Sequence, residues 1–115
     1  MKVWRAAQGL GVVVYRLTAA FPPEERFGLA AQLRRAIVSV SSNLAEGAGR
    51  SDPEFARYIE IARGSTSELR SQLLLARDLG LLSALDWEAC EQDADEIGRM
   101  LAGLRTHLKR RMSRK

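Results

Sequence analysis

One cysteine, one histidine, three prolines and seven aromatic residues are all that this chain of 115 residues contains of those types. Cys90 has no partner with which to close an internal disulfide, and a lone Cys90 with a lone His107 is too few for a zinc set. No apolar run followed by a small-residue cleavage site opens the chain, so a reducing cytoplasm is the expected compartment. The longest apolar stretch, Leu10 to Tyr15, lies between Arg5 and Arg16 and falls far short of the ~20 residues that a membrane span needs. A membrane protein is therefore not expected. A chain of this length hides roughly two-thirds of its unfolded surface on folding, enough for one core without covalent staples.

Charge is plentiful and unevenly placed. Residues 1–82 hold eleven basic and eight acidic side chains, residues 83–104 hold one and six, and residues 105–115 hold six and none. The net charge of +4 thus conceals an acidic stretch followed by a basic tail. Fifteen of the 18 cations are arginine, whose planar fork grips phosphate or carboxylate, though GC-rich coding gives the same bias.

Apolar residues recur at steps of three and four throughout, which predicts helices over about 3–20, 24–48, 53–79 and 84–111. Pro22-Pro23 ends the first, Gly47 and Gly49 the second, and Gly80 the third. Glu24 and Glu25 are expected in the first turn of the second helix, Ser51-Asp52-Pro53-Glu54 caps the third, and Ser83 to Asp86 caps the fourth. The consecutive valines 12–14 favour strand by propensity, but their 3/4-spaced neighbours outweigh that. Short connections between four long helices give an antiparallel up-down-up-down bundle of one domain spanning 1–115.

Two of these helices are greasier than a single core requires. Val12, Val13, Val14 and Tyr15 are consecutive, as are Leu73, Leu74, Leu75 and Ala76. Successive helical residues point about 100° apart, so Val12, Val13, Tyr15, Leu74 and Leu75 cannot all face one interior. Self-association would cover them; partial cover within a tight bundle is the plainer alternative.

No catalytic constellation emerges. Helical-bundle ribonucleases of the HEPN class separate Arg from His by four to six residues, whereas Arg99 and His107 are separated by seven residues and Arg105 and His107 by one. Helical nucleotide pyrophosphatases hold magnesium between two acidic pairs on facing helices, and Glu88 with Glu91 makes only one. Gly47-Ala48-Gly49-Arg50-Ser51 lacks the lysine and upstream strand of a phosphate-binding loop. The expectation is no enzyme, no metal and no cofactor.

Phe21-Pro22, Glu25 to Leu29, Gln32 to Ala36, Ser39, Ser42 to Gly47 and Gly49-Arg50 form a dense pattern. It continues in Phe55, Tyr58 to Ala62, Gly64-Ser65, Glu68-Leu69, Gln72-Leu73, Gly98 to Leu101 and Gly103-Leu104. This pattern resembles that of the bacterial 23S rRNA intervening-sequence proteins, with Ser41 standing where relatives commonly carry proline. Keeping that backbone donor predicts a straighter second helix. The resemblance implies four-helix bundles gathered into ring-shaped homopentamers, many without an established role. A related branch, the accessory variability determinants of diversity-generating retroelements, implies basic pentamers that bind nucleic acid and a reverse transcriptase.

The signature residues Arg35, Ser39, Asn43, Glu46, Gly47, Arg50, Gly64 and Ser65 suit a structural role, in which Arg35, Ser39, Asn43, Glu46 and Arg50 join one hydrogen-bonded network and Gly64 permits close helix approach. Arg63, Arg70 and Arg77 repeat every seven residues, as solvated surface with local pairs such as Glu60 to Arg63 or as a phosphate-binding stripe. With the tail cations Arg105, Lys109, Arg110, Arg111, Arg114 and Lys115 they make the candidate surface for RNA or DNA. The competing reading is a scaffold or accessory subunit for another protein, such as a reverse transcriptase. A hydrolase using His107 ranks last.

Overall fold

The computed structural model describes residues 1–114. Four helices follow one another: α1 (Lys2–Ala19), α2 (Leu29–Gly47), α3 (Asp52–Asp78) and α4 (Ala84–Ser113), with one 3-10 turn, Pro23–Glu25, between α1 and α2. Each helix packs against two neighbours in the cyclic order α1, α2, α3, α4, so α1 and α3 stand diagonally opposite. The bundle measures 52 × 23 × 18 Å. Among the described residues no strand forms, and no helix is long and apolar enough to cross a membrane.

The 3/4 rhythm becomes one apolar seam. Val3, Ala7, Leu10 and Val14 of α1 meet Leu33, Ile37, Val40 and Leu44 of α2, Ile59, Ala62, Leu69 and Leu73 of α3, and Cys90, Ala94, Ile97 and Leu101 of α4. Burial of the Cys90 thiol pushes its pKa up to about 11, because the thiolate cannot be solvated there.

Helix ends follow the local chemistry. The Ser51 hydroxyl accepts the Glu54 N–H and donates to the Glu54 carboxylate, while Ser83 accepts the Asp86 N–H at 3.0 Å. Gly80 takes a positive φ of 76°, which lets the Leu81 N–H reach back to the Ala76 carbonyl and close α3.

Two boundaries differ from the sequence reading. α2 begins at Leu29 rather than at residue 24, because Glu24 and Glu25 belong to the 3-10 turn after Pro22. Glu25 still serves the helix, accepting the Leu29 N–H from outside it. α4 ends two residues later than residue 111, at Ser113, so residues 105–113 of the basic tail are helical. Helix α2 is unbroken through Ser41, whose hydroxyl donates to the Val38 carbonyl.

The two signature glycines behave oppositely. A Cβ on Gly47 would stand 2.7 Å from Tyr58 Cβ and 2.9 Å from Phe55 Cδ1, so this glycine lets the start of α3 lie against the end of α2. Gly64 permits no such approach within the protomer, contrary to expectation, since a Cβ there would meet nothing within 4 Å. It costs α3 about 1 kcal/mol relative to alanine without an internal return.

Gly47→Ala is expected to destabilise the fold by about 1–3 kcal/mol through overpacking, read as a lower urea midpoint. Cys90 adds a pH signature. Its raised pKa means that the unfolded chain releases the proton first, so this contribution is complete below about pH 9 and is lost as pH rises through about 11. Urea titrations from pH 8 to 11 should show a shallower decline in Cys90→Ala than in the parent.

Candidate nucleic-acid interface

Arginines seven residues apart on a helix share a side, and on α3 that side faces α4. Arg70 Nε donates to Glu91 Oε1 at 2.9 Å, its Nη2 donates to the same carboxylate, and Asp95 Oδ1 lies 3.7 Å away. The Glu91 hydrogen bond raises the Arg70 pKa further above its usual value, against the opposing effect of burial. Glu60 serves two cations, Arg63 at 3.0 Å and Arg105 of α4 at 2.8 Å. Arg77 pairs with Asp78 at 3.1 Å and lies over the Trp87 ring, 4.3 Å from its centre. Arg99 pairs with Asp95 at 2.9 Å, and Arg111 Nε lies 3.1 Å from the mostly buried Asp52 Oδ2 at the start of α3.

The candidate surface therefore splits. Arg63, Arg70, Arg77, Arg105 and Arg111 each have a carboxylate partner and stitch α3 to α4 or to their own helix. Lys109, Arg110 and Arg114 are exposed, and among the described residues they have no carboxylate partner. Lys115 lies outside the described residues. Because α4 is helical here, Arg110 and Arg114 stand one turn apart on one face.

The antiparallel order brings the start of α1 to this same end, and with it Lys2 and Arg5, both exposed. The sequence reading passed over them. The signal was there: α1 contains Lys2, Arg5 and Arg16 and no acidic residue.

The signature residues fall into two groups rather than one network. The Ser39 and Ser65 hydroxyls share a hydrogen bond of 2.8 Å between α2 and α3, and Asn43 Nδ2 donates to the Ser39 carbonyl and hydroxyl. Glu46 and Arg50 form an exposed pair at 2.6 Å that extends to Glu54. The Ser51 hydroxyl and Arg50 hold the Glu54 carboxyl below its ordinary pKa. Arg35 is exposed and joins neither group, because it points outward from α2. His107 is also exposed.

Residues 1–103 match the family model of the 23S rRNA-intervening sequence protein. The chain belongs to that family. The match stops short of Arg105, so the unpaired cations of α4 lie beyond the part that defines a 23S rRNA-intervening sequence protein. A solved structure of similar fold is a protein of unknown function from the S23 ribosomal protein family of Bacteroides thetaiotaomicron. It is 20% identical, with a TM-score of 0.79 over 89% of this chain and 96% of that one. No curated protein matches.

Arg70→Gln and Glu91→Gln should each lower stability by about 1 kcal/mol, a value held down by the exposure of the arginine. The double variant should cost no more than either single one, because both remove the same interaction. Urea unfolding at low and high salt checks this, with the difference shrinking at high salt.

Proposed function

We propose that this member of the 23S rRNA-intervening sequence protein family is a non-catalytic, self-associating protein, a ring of five copies, that binds RNA or DNA through the basic end of its bundle. One observation carries the nucleic-acid reading: ion pairs take up Arg63, Arg70, Arg77, Arg105 and Arg111 and, among the described residues, leave Lys109, Arg110 and Arg114 without partners at one end. Phosphates are the natural complement of unpaired cations held at helical spacing. Lys2 and Arg5 add to the same end.

The ring reading rests on apolar side chains left exposed on opposite flanks, Val12 and Tyr15 on α1 and Ile61 and Leu75 on α3. Faces on opposite sides of one protomer cannot both be covered by a single two-fold partner, whereas a head-to-tail contact covers both and makes a ring when its rotation closes. Repeating the basic end around such a ring multiplies weak phosphate contacts.

Binding should be tolerant of sequence and steep in salt. Lys109→Gln/Arg110→Gln/Arg114→Gln should weaken retention of a single-stranded RNA at low salt more than tenfold and make the plot of log affinity against log salt shallower by about 2. Arg63→Gln/Arg77→Gln should leave that slope unchanged. Fluorescence anisotropy with labelled RNA and DNA decides it. Failure of the parent protein to retain either at low salt would end the nucleic-acid reading and return the family member to the scaffold class.

A further inference from the structure

The ring reading leaves open which surfaces meet, and the exposed side chains constrain the answer. Between α1 and α2 lies an open groove of about 400 Å³, floored by Gly11 and Ile37 and walled by Val12, Tyr15 and Val38. These walls are strongly exposed for apolar side chains: Val12 is 50% accessible, Tyr15 44% and Val38 43%. Arg16 stands at one end of the groove, exposed and, among the described residues, without a carboxylate partner. Val13 points about 100° away from Val12 and is absent from the groove.

On the opposite side of the bundle, Ile61, Gly64, Glu68 and Leu75 follow one another along the outward face of α3 at steps of three, four and seven. Ile61 is 43% accessible and Leu75 49%. Glu68 is exposed and accepts a hydrogen bond from Gln72, but no cation among the described residues pairs with it. Leu74 lies one residue out of line, toward α4. This ridge has two apolar ends, a carboxylate and a notch at Gly64, where a Cβ would meet only open space.

The heights of groove and ridge agree. Gly11 contacts Ile37, Thr18 bonds Arg34, Ser39 bonds Ser65, and Gln72 lies beside Gln32. Counting along the helices from these contacts sets Val12 level with about residues 64 to 68 of α3 and Arg16 level with about 68 to 72. In a closed ring whose bundles stand parallel to its axis there is no rise between neighbours, so surfaces that meet across it share a height along the helices. Val12 then faces the Gly64 notch and Arg16 faces Glu68.

We infer that the groove between α1 and α2 of one copy receives the outward face of α3 of the next, with Val12 packed at Gly64, Ile61 lying at the Gln8 end of the groove and Arg16 paired with Glu68. The contact explains why α3 carries a glycine that nothing inside the protomer requires. It also separates the assembly surface from the basic end, since groove and ridge lie on the flanks. The inference rests on the ring reading, and its test tells the two apart.

Val12→Glu and Ile61→Glu alter exposed positions and leave the protomer core intact. Each alone should raise the dissociation constant for assembly at least tenfold and yield monomers at micromolar concentration by light scattering. Mixed in equal amounts they should give dimers and nothing larger, because one variant retains an intact ridge and the other an intact groove. Arg16→Glu or Glu68→Arg should weaken assembly, and the double exchange should restore it at low salt. A monomeric parent at micromolar concentration sinks the ring reading and this contact with it. A parent oligomer that survives both Val12→Glu and Ile61→Glu, or a mixture that stays monomeric, overturns the contact alone.

Discussion

Everything in this molecule hangs on the apolar seam that the four helices share. Its residues come at steps of three and four, so each helix gives one side to the interior and leaves the others to be defined by what remains. Seams of this kind bring neighbouring helices within about 8–10 Å of one another, close enough for side chains at their edges to reach across. The charge pairs of α3 and α4, the Ser39 to Ser65 bond and the aromatic contacts of Gly47 are therefore edge effects of one packing event. None of them would form without it, and each then fixes how far one helix slides along the next.

The same packing sorts the charge. Acidic residues in the first half of α4 face a run of arginines on α3 because the two helices are antiparallel and joined by a tight turn closed at Gly80. Arg70 with Glu91 is the firmest of these contacts, being partly withdrawn from water. Surface pairs such as Glu46 with Arg50 stay in full contact with solvent and are worth little singly. A raw count of basic residues is therefore a poor map of where an anion can bind. What matters is which cations find no acid, and geometry decides that after the helices have docked.

Periodicity made the fold legible: the four helices, their order, the Ser51 and Ser83 caps and the Gly80 terminus all follow from residues and spacing. The start of α2 did not, because Glu24 and Glu25 suit a helix's first turn as well as the 3-10 turn that precedes it. Side-chain pairing was less legible still. Arg63, Arg70 and Arg77 look alike in sequence, and Arg63 finds the local partner Glu60 that spacing suggests, yet Arg70 finds Glu91, 21 residues away on another helix. Arg35 belongs by sequence pattern with Ser39, Asn43, Glu46 and Arg50, but helical phase turns it outward. Gly64 is the clearest case: a glycine in mid-helix announces a close approach without saying whether the neighbour belongs to the same chain.

Concentrating unmatched positive charge at one extremity of a rod has a cost whenever such rods stand side by side in parallel. Like ends then repel, and the strain grows with every copy added. A polyanion laid across those ends would relieve the repulsion, so assembly and anion capture would strengthen one another by thermodynamic necessity. Without such an anion, added salt would do part of the same work. The fully helical run from Arg105 to Ser113 is what makes this coupling stiff, since a flexible extension would let the charges drift apart.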